Sequence, residues 1–334
     1  MINKIYTSKL SKTQWEDLRS EYSFKGMLGG SDMGTIVGVN QYKSAVNLFY
    51  EALGLWDKNI PTTEAMYWGT ELEEKLRKDY AYWDGSFETF LMNKQDNRKV
   101  NKVQQLNAII ENDNYPMLFA NIDGNLIKHR DIKGKGVLEI KTISSYNSDK
   151  WQSGLPPSHE YQLQDYMLVL GRDYGEIFAL KDGRDMFSRV YEADVEMQKE
   201  ILEKSYEFYF KVNEAKKAMA GLTDKDEIIE AVSQYEPSVD HTEAYRKFMT
   251  EKAQVREMEL HTEGDDYMKD LTKRYLVAKE EERISKEDKD LIGNEIRKHF
   301  TDNGIALVKF DDPDMEGTVT YRGKRLNVNI KHIE

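Results

Sequence analysis

Two acidic residues and one basic residue near the middle of the chain have types and spacing that could support metal-dependent chemistry. Glu139 and Lys141 are separated by one residue in the run Val137-Leu138-Glu139-Ile140-Lys141, and Asp123 lies upstream of it. Carboxylates are preferred ligands of hard divalent cations, which stabilise the charge on a phosphate that is attacked by water. A lysine beside them could contact the phosphate or orient the water. Magnesium-dependent hydrolysis of a phosphodiester needs this combination of groups.

The run that contains Glu139 predicts a short β-strand, because branched apolar residues alternate with charged ones. Successive side chains of a strand point to opposite faces. Leu138 and Ile140 are therefore expected in a core, and Glu139 and Lys141 together on the other face. The ordinary alternative is that Asp123-Gly124 is a turn and that Glu139 and Lys141 form a solvated pair.

The flanking sequence predicts helices and hairpins that bring Asp123 close to this strand. Two hairpins are expected, one over residues 117–141 and one over residues 177–190. Helices are expected from about Thr63 to Trp83 and from about His159 to Leu170. The polar residues 93–114 predict a loop or an insertion. Mixed α and β elements in this order predict an α/β protein in the broad sense, that is, a mixed α+β arrangement of helices and strands.

Composition excludes several other kinds of site. The 334 residues contain no cysteine, which excludes disulfides, zinc thiolate sites, iron–sulfur clusters and cysteine nucleophiles. No apolar stretch approaches the roughly 20 residues that span a bilayer. Residues 1–6 lack the apolar segment of a signal peptide. A soluble, cytoplasmic protein without a membrane contact is expected.

The net charge of −12 is distributed unevenly along the chain. Residues 1–190 carry 24 Lys and Arg against 26 Asp and Glu, whereas residues 191–334 carry 24 against 34. Overall acidity does not exclude a basic groove in the nearly neutral N-terminal part. Four basic residues near the Glu139 strand are candidate contacts to the phosphates of a duplex: Lys128, Arg130, Lys133 and Lys135.

Six short motifs occur in a fixed order along the first half of the chain. They are Trp15-x-x-x-Arg19, Gly29-Gly30-Ser31-Asp32, Trp68-Gly69-Thr70-Glu71-Leu72-Glu73, Ala120-Asn121-Ile122-Asp123-Gly124, Leu138-Glu139-Ile140-Lys141 and Tyr161-Gln162-Leu163-Gln164. An aspartate followed by Glu-x-Lys on a strand is the signature of PD-(D/E)xK nucleases. The ordered set, over about residues 15–200, resembles the YqaJ-type viral recombinase family, which includes exonucleases of the phage lambda type.

This resemblance implies a fold and a function. Residues 1–222 would form a PD-(D/E)xK, restriction-endonuclease-like core, in which helices flank a central mixed sheet. Residues 223–334 are expected to form an acidic helical extension that ends in short β-strands and serves oligomerisation or partner docking. The family implies a 5′-to-3′ exonuclease that degrades one strand of linear double-stranded DNA and leaves 3′ single-stranded overhangs for recombination.

The resemblance also implies a cofactor, partners and a set of site residues. Two Mg²⁺ ions, for which Mn²⁺ can substitute, would lie about 4 Å apart at the scissile phosphate. A single-strand annealing protein would be a partner, in the cytoplasm of a bacterial host, and the chain would form a homo-oligomer such as a ring. The implied catalytic residues are Glu73, Asp123, Glu139, Lys141 and Gln162. The implied metal ligands are Glu73, Asp123, Glu139 and the backbone carbonyl of Ile140. The implied contacts to a DNA 5′-phosphate are Arg19, Lys25, Ser31 and Asn121.

Two catalytic assignments have alternatives. Glu73 could be the third position of a capping box that Thr70 opens. Gln164 lies about 200° further around its helix than Gln162, so only one of the two glutamines can face the site.

The 5′-phosphate assignments are also open. Ser31 could be a helix N-cap, although free amides at a helix start also bind anions. Twelve residues separate Arg19 from Ser31, which is longer than the family pattern, so Lys25 could replace Arg19. Asn121 stands where the family has a small hydroxyl residue, and it keeps a hydrogen-bond donor.

Two other functions remain alternatives for the whole chain. One is a catalytically silent protein that binds DNA ends or serves as a scaffold. The presence of all five catalytic residue types argues against it. The other is a RecB-like endonuclease; the absence of cysteine excludes its iron–sulfur members, and the Gly-Gly-Ser-Asp and Trp-Gly motifs favour the exonuclease.

Overall fold

A computed structural model describes most of the chain. The chain divides into two compact units, Met1–Gln254 and Val255–Glu334. The described residues are 1–56, 62–144, 155–240, 242–252, 274, 277–285, 307–312, 315–322 and 325–332. The first unit extends past residue 222, the boundary predicted from the sequence, and includes two helices of the predicted extension.

Helices and strands alternate along the first unit. Its helices with defined bounds are α1 (Lys12–Phe24), α2 (Gly30–Ile36), α3 (Ala45–Ala52), α4 (Glu64–Tyr80), α5 (Phe87–Gln95), α6 (Pro157–Leu170), α7 (Val195–Met219), α8 (Lys225–Ser233) and α9 (Glu243–Lys252). Its strands are β1 (Ile2–Tyr6), β2 (Leu28–Gly29), β3 (Lys102–Gln104), β4 (Ala108–Asn112), β5 (Leu118–Ala120), β6 (Gly124–Lys128), β7 (Gly136–Ile143), β8 (Tyr174–Lys181) and β9 (Asp185–Glu192).

The strands of the first unit form two mixed sheets. The four-stranded sheet has the order β1-β4-β5-β2, and the five-stranded sheet has the order β3-β6-β7-β8-β9. β7 and β8 are parallel, whereas the two predicted hairpins, β6–β7 and β8–β9, are antiparallel. The mixed α/β fold class predicted from the sequence is confirmed.

Local signals explain where the helices begin and end. Thr63 precedes α4, and its hydroxyl accepts a hydrogen bond from the Met66 amide at 3.2 Å, so it caps the helix that the sequence predicted to begin near this residue. Gly171 follows α6 in the left-handed conformation, which glycine adopts without a steric penalty. The helix predicted from His159 to Leu170 is therefore confirmed, with its start two residues earlier.

The prediction of a loop or insertion over residues 93–114 is wrong. This segment contains the end of α5, all of β3 and all of β4. Ala108, Ile109 and Ile110 of β4 are completely buried, and β4 lies between β1 and β5 in the four-stranded sheet. Polar residues on both sides of this short apolar run hide the strand in the sequence.

β7 separates two apolar layers of the five-stranded sheet. Leu138 and Ile140 pack into one apolar cluster, with side chains of α4, α5, β6 and β8. That cluster includes Leu76, Tyr80, Trp83, Phe90, Leu126 and Phe178. On the other side, Val137 and Ile177 pack with Leu163 and Met167 of α6. The predicted alternation along β7 is confirmed, and it gives the sheet a helix layer on each face.

A group of charged side chains is buried on the α4 side of this sheet. Glu176 of β8 is fully buried, and its carboxylate accepts hydrogen bonds from Arg130 Nη2 at 3.0 Å, His129 Nε2 at 2.9 Å and the Tyr80 hydroxyl. His129 Nδ1 accepts from two backbone amides at 3.0 Å, so Nε2 carries the ring proton that is donated to Glu176. Burial alone would raise the pKa of Glu176, but the hydrogen bond from His129 and the charge of Arg130 hold it at about 2.

The second unit contains a small sheet. Strands β10 (Leu307–Asp312), β11 (Met315–Arg322) and β12 (Arg325–His332) form a three-stranded antiparallel sheet. This confirms the short β-strands predicted near the end of the chain. Residues 277–285 are helical, but most of the helices predicted between residues 253 and 306 lie outside the described residues. No helix in the described ranges is long and apolar enough to cross a membrane.

The Glu176 network should contribute strongly to stability. Glu176→Gln removes the buried charge that Arg130 and His129 compensate and leaves Arg130 with the exposed Asp131 as its ion-pair partner. Loss of one member of a buried pair costs roughly 3–5 kcal/mol in comparable cases. Because the folded-state pKa of Glu176 lies below its ordinary value of 4.5, this contribution is present above pH 4.5 and is lost as the pH falls towards 2. Urea unfolding of both proteins at a series of pH values measures the difference.

Glu203→Gln is the matched control, because Glu203 is an exposed residue of α7. It should change the free energy of unfolding by less than about 0.5 kcal/mol at any of these pH values. Equal stability of Glu176→Gln and the wild type at pH 7 would show that the network is not needed for folding.

Candidate active site

β7 places an acidic and a basic side chain side by side beneath α6. Glu139 is 2% exposed, and its Oε1 lies 2.6 Å from Lys141 Nζ. The other oxygen, Oε2, is buried and has no hydrogen-bond partner among the described residues. The expectation of a solvated surface pair is therefore wrong, because the pair lies under a helix layer. One carboxylate oxygen of Glu139 remains available for a ligand.

Asp123 lies between β5 and β6 and is fixed to β7 by a hydrogen bond. The Ile140 amide donates to Asp123 Oδ2 at 2.7 Å. Burial, followed by the negative charges of Glu139 and Glu73, raises the pKa of Asp123 well above its ordinary value. Asp123 is thus more than a turn residue, because its carboxylate is bonded to β7. Three carboxylates lie close together here, and their mutual repulsion is only partly compensated.

α4 contributes Glu73 to this group, together with an arginine that the sequence analysis did not identify. Arg77 Nη1 lies 2.9 Å from Glu73 Oε1 and donates to the backbone carbonyl of Asp123 at 3.2 Å. Arg77 therefore joins α4 to the β5–β6 junction. The capping-box alternative for Glu73 is wrong, because Thr70 lies inside α4, where its hydroxyl donates to the Met66 carbonyl. The spacing of Glu73 and Arg77, four residues on one helix face, was the available signal.

α6 brings Gln162 to the same place. Gln162 Oε1 accepts a hydrogen bond from Lys141 Nζ at 3.1 Å, and Gln162 Nε2 donates to the Tyr166 hydroxyl at 3.0 Å. Gln164 faces away, because its amide contacts the backbone of Glu192 and Asp194. Of the two glutamines, Gln162 is thus the one that faces the site.

The positive charge of Lys141 is maintained by its neighbours. Burial alone would lower the pKa of the Lys141 ammonium, but Glu139, with smaller contributions from Asp123 and Glu73, outweighs burial and raises it. Lys141 is therefore protonated at neutral pH and donates hydrogen bonds to both Glu139 and Gln162.

His159, in the first turn of α6, is a further residue of the site that the sequence analysis left without a role. Burial and the charge of Lys141 lower the pKa of His159 to about 4, and a hydrogen bond with the Gln162 side chain acts in the opposite direction. The ring is therefore neutral at neutral pH. Its position three residues before Gln162, on the same face of a helix, could have indicated this contact.

The oxygen donors of this group fit a hard divalent cation with few protein ligands. Within the described ranges, no three His, Asp or Glu side chains form a ready metal cluster, because Glu73 is paired with Arg77 and Glu139 with Lys141. Mg²⁺ in phosphoryl-transfer sites usually uses one or two carboxylates together with water and substrate phosphates. Asp123 and the unpartnered Oε2 of Glu139 supply two carboxylates, and a dication would relieve the repulsion between them.

A second group of predicted residues lies at the start of α2. Arg19 Nη2 is 3.4 Å from Ser31 Oγ, and the Arg19 guanidinium lies 5.6 Å from the centre of the Trp15 ring. The fold brings Arg19 and Ser31 together although they are twelve positions apart in the sequence. Lys25 instead lies over the ring of Tyr22, at 5.3 Å.

Ser31 is not a helix N-cap. Gly29 occupies that position, and its amide donates to the carboxylate of Asp32 at 3.0 Å. The exposed hydroxyl of Ser31 is thus not committed to capping. Asn121 is also exposed, two residues before Asp123.

Tyr166 connects the start of α2 with Gln162. Gly30 packs so closely on Tyr166 that a Cβ atom at position 30 would overlap the ring, at 2.9 Å from its Cζ. One turn later, a Cβ at Gly34 would lie 2.9 Å from the Cα of Ser158. The two glycines allow α2 to pack closely against α6. The Tyr166 side chain therefore contacts Gly30, next to Ser31, on one side and Gln162 on the other.

The basic hairpin tip is not at the site. Lys128 ends β6 and Lys135 precedes β7, so both lie beyond the end of β7 that is farther from Lys141, about 17 Å along the strand from it. Arg130 pairs with the buried Glu176 at 3.0 Å and with Asp131 at 3.2 Å. The expectation that Arg130 is a free phosphate contact is therefore wrong. Lys128, Lys133 and Lys135 are exposed.

The site thus has an acid before a hairpin, Glu-x-Lys on the next strand and a glutamine on the following helix, which is the order that the six sequence motifs predicted. Residues 14–173 match the model of the YqaJ-like viral recombinase domain, which confirms the resemblance inferred from the six motifs.

One curated relative and several solved structures resemble parts of the chain. The relative is protein YqaJ of Bacillus subtilis (strain 168), an uncharacterized protein that is 28% identical over 205 residues, or 60% of this chain. The match spans 56% of that relative, so the chain covers little more than half of its length.

Two of the similar structures are of exonucleases. The alkaline exonuclease LHK-Exo from Laribacter hongkongensis in complex with dAMP is 19% identical, with a TM-score of 0.45, over 62% of this chain and 100% of that one. A phage-related exonuclease from Haemophilus somnus 129PT is 13% identical, with a TM-score of 0.34, over 68% and 96% of the two chains.

Close packing at Gly30 gives a prediction about stability. Gly30→Ala should lower the free energy of unfolding by about 1–3 kcal/mol, because the added methyl group forces the Tyr166 ring to move. Gly69→Ala is the control. Gly69 lies inside α4, and a Cβ atom added there would meet only Thr142 Oγ1 of β7, at an ordinary contact distance of 3.4 Å. This substitution should stabilise the protein by about 0.5–1 kcal/mol, since alanine favours a helix over glycine. Urea unfolding measures both changes, and an unchanged stability of Gly30→Ala would contradict the packing described for Tyr166.

Proposed function

We propose that this chain is a metal-dependent 5′-to-3′ exonuclease that degrades one strand of linear double-stranded DNA. The observation that carries the proposal is the continuous contact from Glu139 through Lys141 to Gln162, directly beside Asp123. The match of residues 14–173 to a viral recombinase domain supports it. A 3′ single-stranded overhang, the product of such an enzyme, is the substrate of strand-annealing recombination.

In this proposal Asp123 and Glu139 would hold the metal, with the carbonyl of Ile140 and the nearby Glu73. Two bound Mg²⁺ ions, or Mn²⁺ in their place, would supply positive charge against the phosphate and would lower the pKa of water. The chain's own residues provide the remaining steps. Lys141 donates hydrogen bonds towards the attacking water or the phosphate, and Gln162 orients the water through its amide. The Tyr166 hydroxyl helps to hold Gln162 in place by accepting a hydrogen bond from its Nε2–H.

The start of α2 is the proposed contact to a 5′-phosphate. Arg19 supplies the charge and Ser31 a hydroxyl, and the two side chains are already neighbours. Asn121 is exposed before the metal-binding strand and adds an amide donor. The proposed partners are a single-strand annealing protein and further copies of the chain, in a ring or another homo-oligomer.

The first test is degradation of DNA under defined metal and end conditions. Linear duplex should be lost in Mg²⁺ or Mn²⁺ but not in EDTA, and closed circular DNA should be resistant. Labels at the 5′ or the 3′ end report direction, since a 5′-to-3′ enzyme releases the 5′ label first. Asp123→Asn and Glu139→Gln should reduce turnover at least 1,000-fold, because the charge that develops in the transition state then lacks its metal ligands.

The folded state is controlled by urea unfolding of each variant. Asp123→Asn should be at least as stable as the wild type without metal, because it removes a crowded negative charge. If linear duplex stays intact with either metal, the enzyme proposal is wrong. If circles are cut as fast as linear DNA, the exonuclease form is wrong.

A separate prediction concerns the 5′-phosphate. The wild type should degrade 5′-phosphorylated ends faster than 5′-hydroxyl ends, and Arg19→Ala should abolish most of this preference while hydroxyl ends are degraded at a similar rate. A charge-assisted contact of this kind is worth about 1.5–3 kcal/mol, or roughly 10- to 150-fold. Lys25→Ala is the matched control, because Lys25 contacts Tyr22 instead of Ser31. Loss of the preference in Lys25→Ala alone would assign the contact to Lys25.

A further inference from the structure

Four lysines lie together at the end of the five-stranded sheet that is farther from the candidate active site. Lys102 begins β3 and Lys128 ends β6, and these two residues are direct partners in the antiparallel β3–β6 pair. Lys135 comes just before β7, the strand that pairs with β6 on its other side. Lys133 lies in the loop between β6 and β7. These residues form the lysine patch: Lys102, Lys128, Lys133 and Lys135.

Acidic side chains do not neutralise the lysine patch. All four lysines are exposed, and none of them forms an ion pair within the described part of the chain. Asp131 is the one acid in residues 128–135, and it pairs with Arg130 at 3.2 Å. Lys102 and Lys128 face each other, and like charges on directly opposed strand residues repel. An anion bound at this surface would relieve that repulsion.

The chemistry of the patch fits the phosphates of a nucleic-acid duplex. Lysine ammonium groups contact phosphates as point charges and do not read the base sequence. Proteins that bind single strands also use aromatic side chains, on which the bases stack. Residues 102–104 and 128–135 contain no Phe, Tyr or Trp. The phosphate backbone of a duplex is therefore the ligand that this surface favours.

We propose that the lysine patch is a second DNA-binding surface, which holds phosphates of double-stranded DNA away from the place where a strand is cut. This inference rests on the proposed function, because it takes double-stranded DNA as the substrate. The start of β7 lies about 17 Å along the strand from Lys141. A duplex rises about 3.4 Å per base pair, so the patch and the site contact DNA at points roughly five base pairs or more apart. The patch thus adds affinity without touching the reacting atoms.

The test is binding of double-stranded DNA in EDTA, which prevents metal-dependent cutting. The probe is a fluorescent duplex closed by a hairpin loop at each end, so that it offers phosphates but no free 5′ end. Lys→Gln at all four positions of the patch should lower the affinity at least 10-fold at about 100 mM salt. The slope of log K against log salt should become shallower by about 3 to 4, because each phosphate contact contributes about 0.9.

The matched control changes the same amount of charge elsewhere on the surface. It carries Lys→Gln at four exposed lysines of α7, α8 and α9: Lys199, Lys217, Lys225 and Lys247. Its affinity should stay within about threefold of the wild type, because charges farther away than a Debye length are largely screened. An unchanged affinity in the patch variant would overturn the proposal. Equal losses in the two variants would also overturn it, since net charge alone would then explain the binding.

Urea unfolding separates a loss of binding from a loss of folding. The patch variant should unfold at a urea concentration no lower than that of the wild type, because it removes two like charges that face each other. Lys133→Gln/Lys135→Gln is a second variant that leaves β3 and β6 unchanged. It should produce about half of the change in salt slope. A full wild-type slope in this double variant would contradict the part assigned to the loop.

Two further measurements test other anionic partners. Binding to phosphatidylserine vesicles and the molecular mass at low salt should be the same for the wild type and the patch variant. If the variant binds DNA normally but loses vesicle binding, the patch is a membrane contact and the proposal is wrong. If it binds DNA normally but loses self-association, the patch docks the acidic half of a second copy, and the proposal is equally wrong.

The binding assay also distinguishes failure of this inference from failure of the proposed function. If the patch variant loses the closed duplex but the wild type degrades no linear DNA in Mg²⁺ or Mn²⁺, the exonuclease proposal fails and the DNA-binding surface stands. If the wild type degrades linear DNA but the patch variant binds the closed duplex as tightly as the wild type does, only this inference fails.

Discussion

The site depends on the burial of like charges next to one another. Glu139 is buried and Asp123 is half-buried, and the negative charges of Glu139 and Glu73 act together with burial to raise the pKa of Asp123. Such a group is unfavourable unless positive charge compensates it. Lys141 and Arg77 supply part of the compensation, each through a direct ion pair. The remaining negative charge is the physical reason for expecting a cation here.

This constraint explains why the pairing of β7 must be exact to one residue. Gly124 pairs with Leu138 on one side of the strand, and Glu139 pairs with Ile177 on the other. A slip of one residue would turn Glu139 and Lys141 into the apolar α4 layer and would expose Leu138 to the site. The apolar residues of β7 therefore fix the site as firmly as its charged residues do.

Two buried acids on neighbouring strands differ in how completely their carboxylate oxygens are paired. Glu176 is surrounded by donors on both oxygens, and its pKa lies at about 2. Glu139 has one oxygen paired with Lys141 and the other without a partner among the described residues. Buried polar atoms are nearly always satisfied, so an open carboxylate oxygen marks a place where a ligand can bind.

The parts of the fold that follow local rules could be predicted from the sequence. Alternation along β7, the start of α4 near Thr63 and the hairpin that follows Asp123 each depend on a few neighbouring residues. β4 was missed because its burial depends on packing in the four-stranded sheet, not on its own short apolar run. The site residues Arg77, Tyr166 and His159 were missed for a similar reason. Each of them contacts a predicted site residue or its backbone, and none of them lies within the six motifs.

Errors of position came from treating closeness in sequence as closeness in space. Lys135 is only four residues from Glu139, but an extended strand carries it away from the site at about 3.3 Å per residue. Arg19 and Ser31, by contrast, are twelve residues apart and meet, because α1 folds back beside the start of α2. The same folding places Gly30 against Tyr166, which contacts Gln162. A displacement of α2 against α6 would therefore move Tyr166, so the proposed end-binding residues and Gln162 cannot be positioned independently of each other.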